Sequence, residues 1–577
     1  MEENAEPQEQ VAATPGPAAT VSRVPSVNLL DHLDAMEADS STPSGSKGVV
    51  IEEEDRVLRM LARGIRDDLP EERHLQVLEN LRALSEAGDA GQPTRVGSIY
   101  TGSDLAKHGW DEFLTAMVGR DGVQDYVKCE HTMGVEIVAW KRRYVQKSHP
   151  GLRFLFGGAE QMRKPTGYCY LHNDEVPWPH CDVLSVGSSC KDFSSLRGHV
   201  SRDTGMHVLD GAGTSGSTIQ YAMAYIAAHR PLVLLWENVV GLFKGYLKKD
   251  AVTWELVSDV YSNLHLLLTF LTQNGYCAPR GVLNPSPRLP VNRRRAWLPC
   301  FLTGATVSEA ASATVSGCGL SEVADELLCL LQERAGSSIE PERLLLCPNT
   351  SEHAYWLAEA IKDGQHGQRA NKKKSSPNPK YKTQHKNAFI EAGLQYPPAP
   401  TEAEVELATR MRMTDREAEI VYFFDRVAPM EISHSEEMFI DLSQGITRTR
   451  ASTSAMMPCI TPHSRLWKRR AKEWLTAPEA MLAQGLDAAY VRYLKEFSHR
   501  QILNLMGNAF NSSSYLVSLA TALSFVDLSG AGKPCPACDG VHRGATFEEG
   551  ATVSTGLDLE AEMAAIAWGS GCDSESD

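Results

Sequence analysis

The segment CDVLSVGSSCKDFSS, residues 181–195, joins an apolar, β-branched run to a polar loop that contains one cysteine. Three further runs have the same character: VGSIYTG (96–102), GVEIVAW (134–140) and PLVLLWENV (231–239). Helical patterns separate these runs, such as STIQYAMAYIAAHR at 217–230. Short apolar strands that alternate with helices are typical of a parallel sheet covered on both faces. The sequence therefore predicts an α/β fold in which ligands bind at the carboxyl ends of the strands.

The charge of the 577-residue chain is distributed unevenly. The formal net charge is −16, which by itself argues against a nucleic-acid partner, because proteins that bind nucleic acids usually carry a basic surface. Residues 1–55 contribute −10 and residues 526–577 contribute −8, which leaves about +2 for the body between them. The acidity belongs to the two tails, so the charge of the body excludes neither an acidic nor a basic partner.

The sequence also indicates where the protein works. No apolar run approaches about 18 residues, so we expect no membrane span. The first residues, MEENAEPQEQ, lack the basic and apolar stretches of a secretory signal. The 13 cysteines are scattered without a repeated spacing, which is typical of reduced intracellular thiols. We therefore expect an intracellular protein without a membrane partner.

Outside the strand-rich part, the residue composition and hydrophobic pattern of the chain change. Residues 1–50 are poor in aromatic side chains and rich in Glu, Ala, Pro, Ser and Thr, which predicts a disordered tail. Residues 52–88 carry apolar side chains at helical spacing, interrupted by Pro70, and predict two helices packed on the following domain. Residues 303–455 lack the strand and helix alternation, and they include a basic stretch at 369–386 with seven Lys or Arg and no acid.

Cys190 stands where the third apolar run opens into a polar loop, a position suited to an exposed nucleophile. A free thiol has a pKa of about 8.5, so only about a tenth of it is thiolate near neutral pH. Positive charge or loop amides nearby would raise that fraction. The alternative is a structural or surface cysteine, which is the more common role of an isolated cysteine.

Charged residues also accompany the later apolar runs. Glu237 directly follows PLVLLW, where partial desolvation raises the pKa of a carboxyl group and suits it to proton donation. Arg293, Arg294 and Arg295 precede another apolar run. Strand alternation sends Arg293 and Arg295 to one face, where two guanidinium groups could meet one anionic or carbonyl-bearing ligand. The alternatives are a helix-capping carboxylate and a solvated basic run.

One further loop is a candidate for ligand binding. LMGNAFNSSS, residues 505–514, can supply backbone amides and one side-chain amide. We expect it to precede an amphipathic helix, SYLVSLATALSF. A plain helix start is the alternative.

Together, these four motifs resemble the cytosine-C5 methyltransferase family in order and spacing. The family pattern is a Pro-Cys-x-x-Phe-Ser loop, then Glu-Asn-Val, then Gln-x-Arg-x-Arg, then Gly-Asn-Ala. In the same order this chain has Ser189-Cys190-Lys191-Asp192-Phe193-Ser194, Glu237-Asn238-Val239, Val291-Asn292-Arg293-Arg294-Arg295 and Gly507-Asn508-Ala509. MPCITPHSR (457–465) and WLTAPEAMLAQGL (474–486) look like the segments after the family's target-recognition region. The resemblance covers about 95–302 and 456–525.

The resemblance implies S-adenosylmethionine as the cofactor. YTGSD (100–104) occupies the place of the family's Phe-x-Gly-x-Gly loop, and Glu136 that of the carboxylate that binds the cofactor ribose. Asp174 resembles the acid that contacts the adenine. The implied cofactor-binding residues are Tyr100, Gly102, Ser103, Glu136, Ile137, Asp174, Asn508 and Ala509.

The resemblance also implies a covalent mechanism on double-stranded DNA, with the target cytosine flipped out of its stack. In that scheme the Cys190 thiolate attacks ring carbon 6, and Glu237 binds and protonates ring nitrogen N3. Arg293 and Arg295 stabilise the adduct electrostatically. Carbon 5 then takes the methyl group, and loss of its proton expels Cys190.

Three positions depart from the family pattern. Ser189 replaces a proline that would stiffen the loop, so we expect a looser loop. Val291 replaces a glutamine, which removes a polar contact. Asp104 replaces the second glycine of the cofactor loop and adds a negative charge beside a cofactor that has its own carboxylate, so we expect weaker binding. The residues with reactive roles are all present, which favours an active enzyme.

The resemblance predicts an α/β, Rossmann-like methyltransferase domain with a mostly parallel sheet and a smaller target-recognition region. The predicted parts are a disordered acidic tail (1–50), a helical extension (51–92), a catalytic region that binds S-adenosylmethionine (93–302), a target-recognition region (303–455), the C-terminal part of the methyltransferase domain (456–527) and an acidic, Gly-rich tail (528–577).

Other interpretations of the function stay open. The same residues serve a branch of the family that methylates tRNA, so a structured RNA is an alternative substrate, and a catalytically silent cofactor-binding scaffold is another. The length of 303–455 and its basic stretch favour DNA. DNA-contacting surfaces are predicted at 369–386 and 141–143. With a DNA substrate and a eukaryotic source, we expect a nuclear protein.

A Cys-x-x-Cys pair in the C-terminal tail has two interpretations, a zinc site or two reduced thiols. Cys535, Cys538 and His542 have a ligand-like spacing, but tetrahedral zinc needs a fourth ligand. We therefore predict no metal site.

Overall fold

The computed structural model describes the following residues: 57–86, 93–100, 102–126, 129–194, 207–211, 213–243, 246–249, 254–258, 262–302, 314–334, 339, 341–346, 348, 350–372, 379–427, 437–447, 456–486 and 494–526. The two predicted acidic tails lie outside these residues, as do Cys535, Cys538 and His542. The predictions made for them therefore stay predictions.

Fifteen strands are formed within the described residues. They are β1 (Thr94–Ile99), β2 (Cys129–Val135), β3 (Phe154–Phe156), β4 (Thr166–Cys169), β5 (Asp174–Pro177), β6 (Val183–Gly187), β7 (Val233–Asn238), β8 (Tyr246–Lys249), β9 (Trp254–Ser258), β10 (Tyr276–Cys277), β11 (Gly281–Leu283), β12 (Arg295–Leu302), β13 (Phe439–Asp441), β14 (Leu466–Lys468) and β15 (Glu473–Trp474).

Ten of these strands make one sheet, in the order β10-β12-β7-β6-β1-β2-β3-β4-β5, with β11 paired to β12. The five central strands, from β7 to β3, are all parallel, whereas the strands at both flanks pair antiparallel. The chain runs outward from β1 to β2 and β3 and later returns to β6 on the other side of β1. Such a reversal opens a crevice at the carboxyl ends of the strands, which is where sheets of this kind bind ligands. The predicted Rossmann-like α/β fold is confirmed.

The helices within the described residues are α1 (Val57–Asp68), α2 (Glu71–Glu86), α3 (Leu105–Tyr126), α4 (Ala139–Ser148), α5 (His207–Asp210), α6 (Gly213–His229), α7 (Asn263–Gln273), α8 (Thr314–Glu333), α9 (Ser351–Lys372), α10 (Pro379–Glu391), α11 (Glu402–Arg410), α12 (Asp415–Val427), α13 (Ala477–Ala483), α14 (His499–Asn508) and α15 (Ser512–Leu523). None of them is long and apolar enough to cross a membrane.

Alternate side chains of β7 enter two apolar clusters, one on each face of the sheet. Val233 and Leu235 join the cluster that contains α1, α3 and α15, while Leu234 and Trp236 join the cluster that contains α6 and α7. Side chains of a strand point alternately to opposite faces, so a strand buried on both faces must be apolar throughout. This explains why the strand runs lack a polar alternation.

The predicted pair of N-terminal helices is confirmed. α1 and α2 meet around Pro70 and pack on the catalytic region. In the buried contact between α1 and α3, Arg59 Nε donates to Glu112 Oε2 at 2.7 Å and Arg59 Nη2 donates to Glu112 Oε1 at 3.1 Å. On α2, Asn80 Nδ2 donates to the carbonyl oxygen of Leu523 at 2.6 Å. These contacts tie the extension to both α3 and α15.

The predicted amphipathic character of the last helix is wrong. All twelve residues of α15 are buried, because the helix lies between the sheet and the helices α1, α3 and α8. A Cβ atom on Gly109 of α3 would lie 2.7 Å from the ring of Tyr515, so α3 approaches α15 closely at a glycine. A helix covered on all sides is largely apolar all round, and Ser518 and Thr521 donate their hydroxyl groups to the Ser514 and Val517 carbonyls of the preceding turn.

A third apolar cluster marks a smaller lobe. It joins residues of α9, α10 and α12 to the three-stranded sheet β13-β14-β15, with Phe389, Ile420, Ile440, Trp467 and Trp474 among its members. The cluster crosses the boundary predicted at 455, because β14 and β15 belong to it. In contrast, α8 packs into the first cluster, with the catalytic region, although it lies inside the predicted target-recognition segment.

Candidate active site

The carboxyl ends of β6 and β7 place two reactive groups side by side. The register aligns Gly187 of β6 with Glu237 of β7, and Cys190 follows Gly187 by three residues. Glu237 is 9% exposed, and its Oε1 atom lies 3.1 Å from Nε of Arg295, which begins the neighbouring strand β12. The structure therefore brings Cys190, Glu237 and Arg295 together, as the sequence predicted.

Side chains of β7 donate hydrogen bonds to the loop that carries Cys190. Trp236 Nε1 donates to Ser188 Oγ at 3.0 Å, and Asn238 Nδ2 donates to the same oxygen at 2.9 Å. The Phe193 amide donates to the Cys190 carbonyl at 3.2 Å, which closes a turn, and the Phe193 ring is buried. These bonds fix the backbone on both sides of the thiol.

Ser189, expected to loosen the loop, supplies a restraint that proline cannot. Its backbone N–H donates to Thr218 Oγ1 of α6 at 3.1 Å. Two residues beyond the thiol, Asp192 exchanges hydrogen bonds with Ser215 of α6, at 2.9 and 2.8 Å. The loop is thus anchored to α6 by hydrogen bonds in place of the fixed φ of a proline.

The electrostatics of the site favour the neutral forms of both reactive groups. Burial and the charge of Glu237 raise the pKa of the Cys190 thiol, and the charges of Arg295 and Arg293 offset only part of that rise. Burial likewise raises the pKa of Glu237 above its usual range, despite the same two arginines. A neutral Glu237 can donate a proton, and once Glu237 is neutral the thiolate of Cys190 loses a repulsive neighbour.

Arg293 is engaged with the backbone. It is 3% exposed, and its guanidinium donates to the carbonyl oxygens of Ile460 at 2.9 Å, Gly507 at 3.2 Å and Ala509 at 2.7 Å. Burial and the nearby charge of Arg295 lower its pKa. Arg294 is exposed and Arg293 is buried, but both precede β12, which begins at Arg295, so their opposite exposure is not an alternation within a strand. Arg293 ties three segments together, and Arg295 is the arginine next to Glu237.

A second cysteine, which the sequence did not single out, lies beside these arginines. Cys459 Sγ is 3.7 Å from Arg293 Nη1 and 3.8 Å from Arg295 Nη2. Its segment is attached to the strand side, because Val291 bridges to Met457 and the Asn292 amide donates to the Met457 carbonyl at 2.9 Å. The buried Val291 therefore contributes packing at the place where the family pattern has a polar glutamine.

The carboxyl end of β1 forms the other side of the crevice. Tyr100 and Gly102 have positive φ values, 62° and 68°, and a Cβ atom on Gly102 would lie 3.5 Å from the Asn508 carbonyl oxygen. Ala509 is buried, whereas Asn508 is exposed at the end of α14. Ser103 is 1% exposed. The predicted cofactor residues of the two loops are thus neighbours, and glycine suits the left-handed turn at 102.

The carboxyl end of β2 carries a buried carboxylate followed by an exposed apolar side chain. Glu136 is 7% exposed, and its Oε1 atom accepts from the Val138 amide at 2.8 Å. Burial raises the pKa of Glu136, although the charge of Lys141 and the Val138 amide act against that rise. Ile137 is 67% exposed, unusually open for a large aliphatic residue next to a core strand. An acceptor beside an exposed apolar side chain suits a nucleoside.

Asp104 does not face the crevice as expected. Its side chain is 1% exposed, and its Oδ2 atom lies 2.9 Å from His131 Nε2 on β2. Burial would raise its pKa, but the charges of His131 and His149 and a hydrogen bond from Ser98 lower it to about 2. The carboxylate is therefore compensated inside the protein. The expected repulsion of the cofactor does not follow from this geometry.

Asp174 is the predicted site residue farthest from the rest. It lies on β5, level with Cys169 of β4, which in turn is level with Phe156 at the end of β3. Three strand spacings separate β5 from β2, a distance on the order of 14 Å. The antiparallel β4-β5 hairpin produces this separation. No hydrophobic periodicity in the sequence predicted that hairpin.

Two other residues occupy the space nearer the crevice. The charge of Glu160, just after β3, adds to the effect of burial in raising the pKa of Tyr100. Tyr170 stacks under Arg142, with the guanidinium carbon 3.8 Å from the ring centre, and a Cβ atom on Gly157 would lie 2.6 Å from that ring. Both were missed, although Glu160 could have been found as the first acid beyond the strand FLF.

The crevice fits S-adenosylmethionine. Ser103 Oγ is buried and makes no hydrogen bond with any of the residues that the structure describes. The carboxylate of Glu136 and the open side chain of Ile137 are the groups that a ribose and an adenine would need. No cluster of three or more metal-ligating side chains is formed within the described ranges.

A comparison with known proteins gives a sequence relative. A curated protein of Cryptococcus neoformans var. grubii, named DNA (cytosine-5-)-methyltransferase DMT5, is 23% identical to the chain over 194 residues. The match spans 32% of this chain and about 8% of that much longer protein. The chain is a divergent relative of the cytosine-C5 methyltransferases. No protein-family model matches the sequence.

Solved structures with low similarity to this chain were also found. Dnmt2 of S. pombe is 13% identical and covers 74% of this chain and 98% of its own, with a TM-score of 0.34. A mutant of Spodoptera frugiperda DNMT2 is 10% identical, covering 74% and 99%, with a TM-score of 0.35. Entamoeba histolytica EhMeth is 9% identical, covering 75% and 98%, at 0.35. At TM-scores this low, the relationship to cytosine-C5 methyltransferases depends on the sequence match and the motifs.

Proposed function

We propose that the protein is a DNA cytosine-C5 methyltransferase that uses S-adenosylmethionine. One observation carries the proposal: Cys190 and Glu237 lie at adjacent strand ends, where the charge of Glu237 acts on the Cys190 thiol and the charge of Arg295 acts on both groups. A thiol nucleophile beside a proton-donating carboxyl group is the combination that addition across a cytosine ring requires. The neighbouring crevice supplies the groups that fit a nucleoside cofactor.

Each of these residues has a separate role in the proposed reaction. Cys190 loses its proton and its sulfur bonds to carbon 6 of the ring. Glu237 donates its proton to ring nitrogen N3, so the ring stays neutral as carbon 5 gains electron density. Arg295 holds the Glu237 carboxylate when it is ionised, and Arg293 fixes the segments around the pocket. Once carbon 5 has bonded to the methyl group that the cofactor would supply, removal of the C5 proton breaks the carbon–sulfur bond and releases the Cys190 thiolate, and N3 returns its proton to Glu237.

S-adenosylmethionine would supply an electrophilic methyl group, held by Gly102, Ser103, Glu136 and Ile137. Asp104 contributes from beneath this loop by fixing the turn against β2 through His131. Asp174 is the weakest candidate of the predicted set, because the β4-β5 hairpin sets it apart from β2.

DNA is proposed as the substrate because the named relative is a DNA methyltransferase and because α9, α10, α12 and the sheet β13-β14-β15 form an apolar cluster of their own. The candidate DNA surface at 141–143 needs revision. Lys141 is 7% exposed, and Arg142 donates to the carbonyls of Glu136 and Ile137, at 3.0 and 2.6 Å. In the basic stretch, Lys382 and Lys386 of α10 are exposed and remain candidates for phosphate contacts.

The decisive experiment measures transfer of tritium from labelled S-adenosylmethionine to duplex DNA and to tRNA. We expect label in DNA with the native chain and none with Cys190→Ala. Label in tRNA alone would replace DNA by RNA as the substrate. Retained cofactor binding without label in either would favour a silent scaffold. Covalent trapping on DNA with 5-fluorocytosine should require Cys190, and trapping by Cys190→Ala would refute its assignment as nucleophile.

A further inference from the structure

A closed-in cavity of about 220 Å³ lies between the smaller lobe and the catalytic region, apart from the crevice. Its walls come from α9, α12, the segment 460–466, the end of β15 and α14. The residues that matter for its chemistry are Arg416, Glu417, His463, Arg465, Trp474 and Arg500. None of them belongs to the predicted site.

Arg465 is the central group of this cavity. Its guanidinium stacks on Trp474, with the guanidinium carbon 4.1 Å from the ring centre. Nε lies 2.7 Å from Glu417 Oε1, yet the two atoms are not aligned for a hydrogen bond. Nη2 is buried and makes no hydrogen bond among the residues that the structure describes. An arginine fixed on an aromatic ring with unused donors is suited to bind a planar or tetrahedral oxyanion.

The acids of the cavity are already engaged. Glu417 accepts from the amide and the hydroxyl of Thr414 at 2.8 and 2.9 Å, in addition to its pairing with Arg465. Asp363 lies 3.0 Å from His499 Nδ1, and the other ring nitrogen of His499 faces the Leu475 carbonyl at 3.2 Å. With both carboxylates compensated, the positive groups dominate what a ligand would meet.

Other positive charges point to the same space. Arg500 and His463 line the cavity and are exposed. Arg416 also lines it, although its two terminal nitrogens donate to the Gln444 and Leu442 carbonyls, which makes it a fixed charge. The volume accommodates a phosphate group.

We propose that this cavity is a phosphate-binding site, with Arg465 and Arg500 as the residues that contact the ligand. The phosphate belongs either to the backbone of a nucleic-acid strand or to a free nucleotide, since both present the same tetrahedral anion. The site goes beyond methyl transfer, and its binding can be measured without catalysis.

Residues that line the cavity also contact segments of the candidate active site. Ile460 lines the cavity, and its carbonyl accepts from Arg293. Pro462, another lining residue, packs so tightly on Gly507 that a Cβ atom there would lie 2.1 Å from the Pro462 nitrogen. Gly507 also accepts from Arg293, so a ligand that orders 460–466 also orders the backbone around the active-site arginines.

The test measures binding of inorganic phosphate to the full chain by calorimetry, at an ionic strength matched with chloride. We expect Arg500→Gln and Arg465→Lys each to weaken phosphate binding about ten-fold. Arg500→Gln removes a charge-assisted contact, and Arg465→Lys removes the planar guanidinium group that can donate two hydrogen bonds to one anion. Arg470→Gln is the matched control, since Arg470 is exposed and lies outside the cavity. Arg465→Lys keeps the charge opposite Glu417, so the fold is preserved.

Competition separates the two sources of phosphate. If the ligand is a strand, inorganic phosphate should displace duplex DNA from the native chain, and Arg500→Gln should abolish that competition. If the ligand is a free nucleotide, cytidine 5′-monophosphate should bind more tightly than cytidine without displacing DNA. Phosphate that fails to bind the native chain, or that binds both variants as well as Arg470→Gln, would overturn the proposal. None of these outcomes depends on whether the chain transfers methyl groups.

Discussion

Asp104 and Glu237 are both buried carboxylates near the carboxyl ends of one sheet, but their surroundings act in opposite directions. Asp104 has its pKa lowered to about 2, because His131, His149 and Ser98 together outweigh its burial. Glu237 has its pKa raised by burial, despite Arg295 at 3.1 Å. Both side chains have a cationic or imidazole neighbour, so proximity to such a partner does not by itself decide the protonation state.

The difference lies in how each partner is shared. Arg295 also lies next to Cys459 and acts on Cys190, and Arg293 is committed to three carbonyl groups. Glu237 thus receives only part of the compensation that a buried charge needs. A carboxylate with dedicated partners holds the fold, whereas one with shared partners remains ready to exchange a proton. Four predictions test this contrast.

The largest expected effect is on methyl transfer by Glu237→Gln. Glutamine keeps the shape of the side chain but cannot donate the proton to N3, so the single-turnover rate on DNA should fall by about 10²- to 10⁴-fold. Cofactor affinity should stay near that of the native chain. Asp104→Asn is the control, with a rate reduced less than about ten-fold. A rate for Glu237→Gln equal to that of the control would show that the two carboxylates do not differ in role.

A large loss of stability is expected for Arg293→Gln. The substitution leaves buried carbonyl groups at 460, 507 and 509 with weaker donors, so the unfolding free energy measured with urea should fall by about 3 kcal/mol. Arg294→Gln is the matched control, because its exposed side chain should change stability by less than about 0.5 kcal/mol. Equal losses for the two variants would mean that Arg293 does not join these segments.

Asp104→Asn should lower stability in a manner that depends on pH. Asparagine tolerates the positive φ of 55°, so the change isolates the charge. A pKa depressed to about 2 stabilises the fold by about 2 kcal/mol at neutral pH. Because the folded pKa is lowered, that stabilisation is present above the unfolded value and disappears as the pH falls toward about 2.

Urea titrations of the native chain and Asp104→Asn should therefore differ most near neutral pH and converge below about pH 3. Arg153→Gln is a useful comparison, since the exposed Arg153 pairs with Glu130 at 2.9 Å. A stability difference that stays constant from neutral to acidic pH would show that the ionised form of Asp104 is not what His131 stabilises.

The sequence predicted the elements whose signal is local. The strands β6 and β7 were found because a strand buried on both faces is apolar throughout, and Cys190 and Glu237 because each polar residue lies at or just beyond the carboxyl end of such a strand. The opposite exposure of Arg293 and Arg294 matches the predicted alternation, although both residues precede β12. These features need only a few neighbouring residues.

The features that were missed depend on partners far along the chain. His131 is 27 residues from Asp104, so spacing within the loop could not reveal that the carboxylate points into the protein. The burial of α15 depends in part on α1 and α3, which lie more than 380 residues away, and its small and hydroxylated residues resemble one face of an amphipathic helix. The smaller lobe carries no motif, because its apolar cluster is assembled from separate segments between 360 and 474.

The smallest expected effect concerns the reactivity of Cys190. Removing the charge of Glu237 in Glu237→Gln should lower the pKa of the thiol, because that charge opposes the thiolate and Arg295 becomes fully available to stabilise it. Roughly three-fold more thiolate at mildly alkaline pH should then give a similar gain in the rate of alkylation by iodoacetamide. Peptide mass spectrometry distinguishes Cys190 from Cys459.

Glu160→Gln provides the control for a change of charge at the same edge of the sheet. Glu160 is exposed beyond β3 and acts on Tyr100, so its removal should leave the alkylation of Cys190 unchanged. A faster alkylation of Cys190 in both variants would indicate that any negative charge at the crevice opposes the thiolate. An unchanged alkylation rate in both would mean that Glu237 is already neutral in the resting protein. Only a gain confined to Glu237→Gln supports a carboxylate that is partly ionised, shares Arg295 with the thiol and can exchange a proton during the reaction.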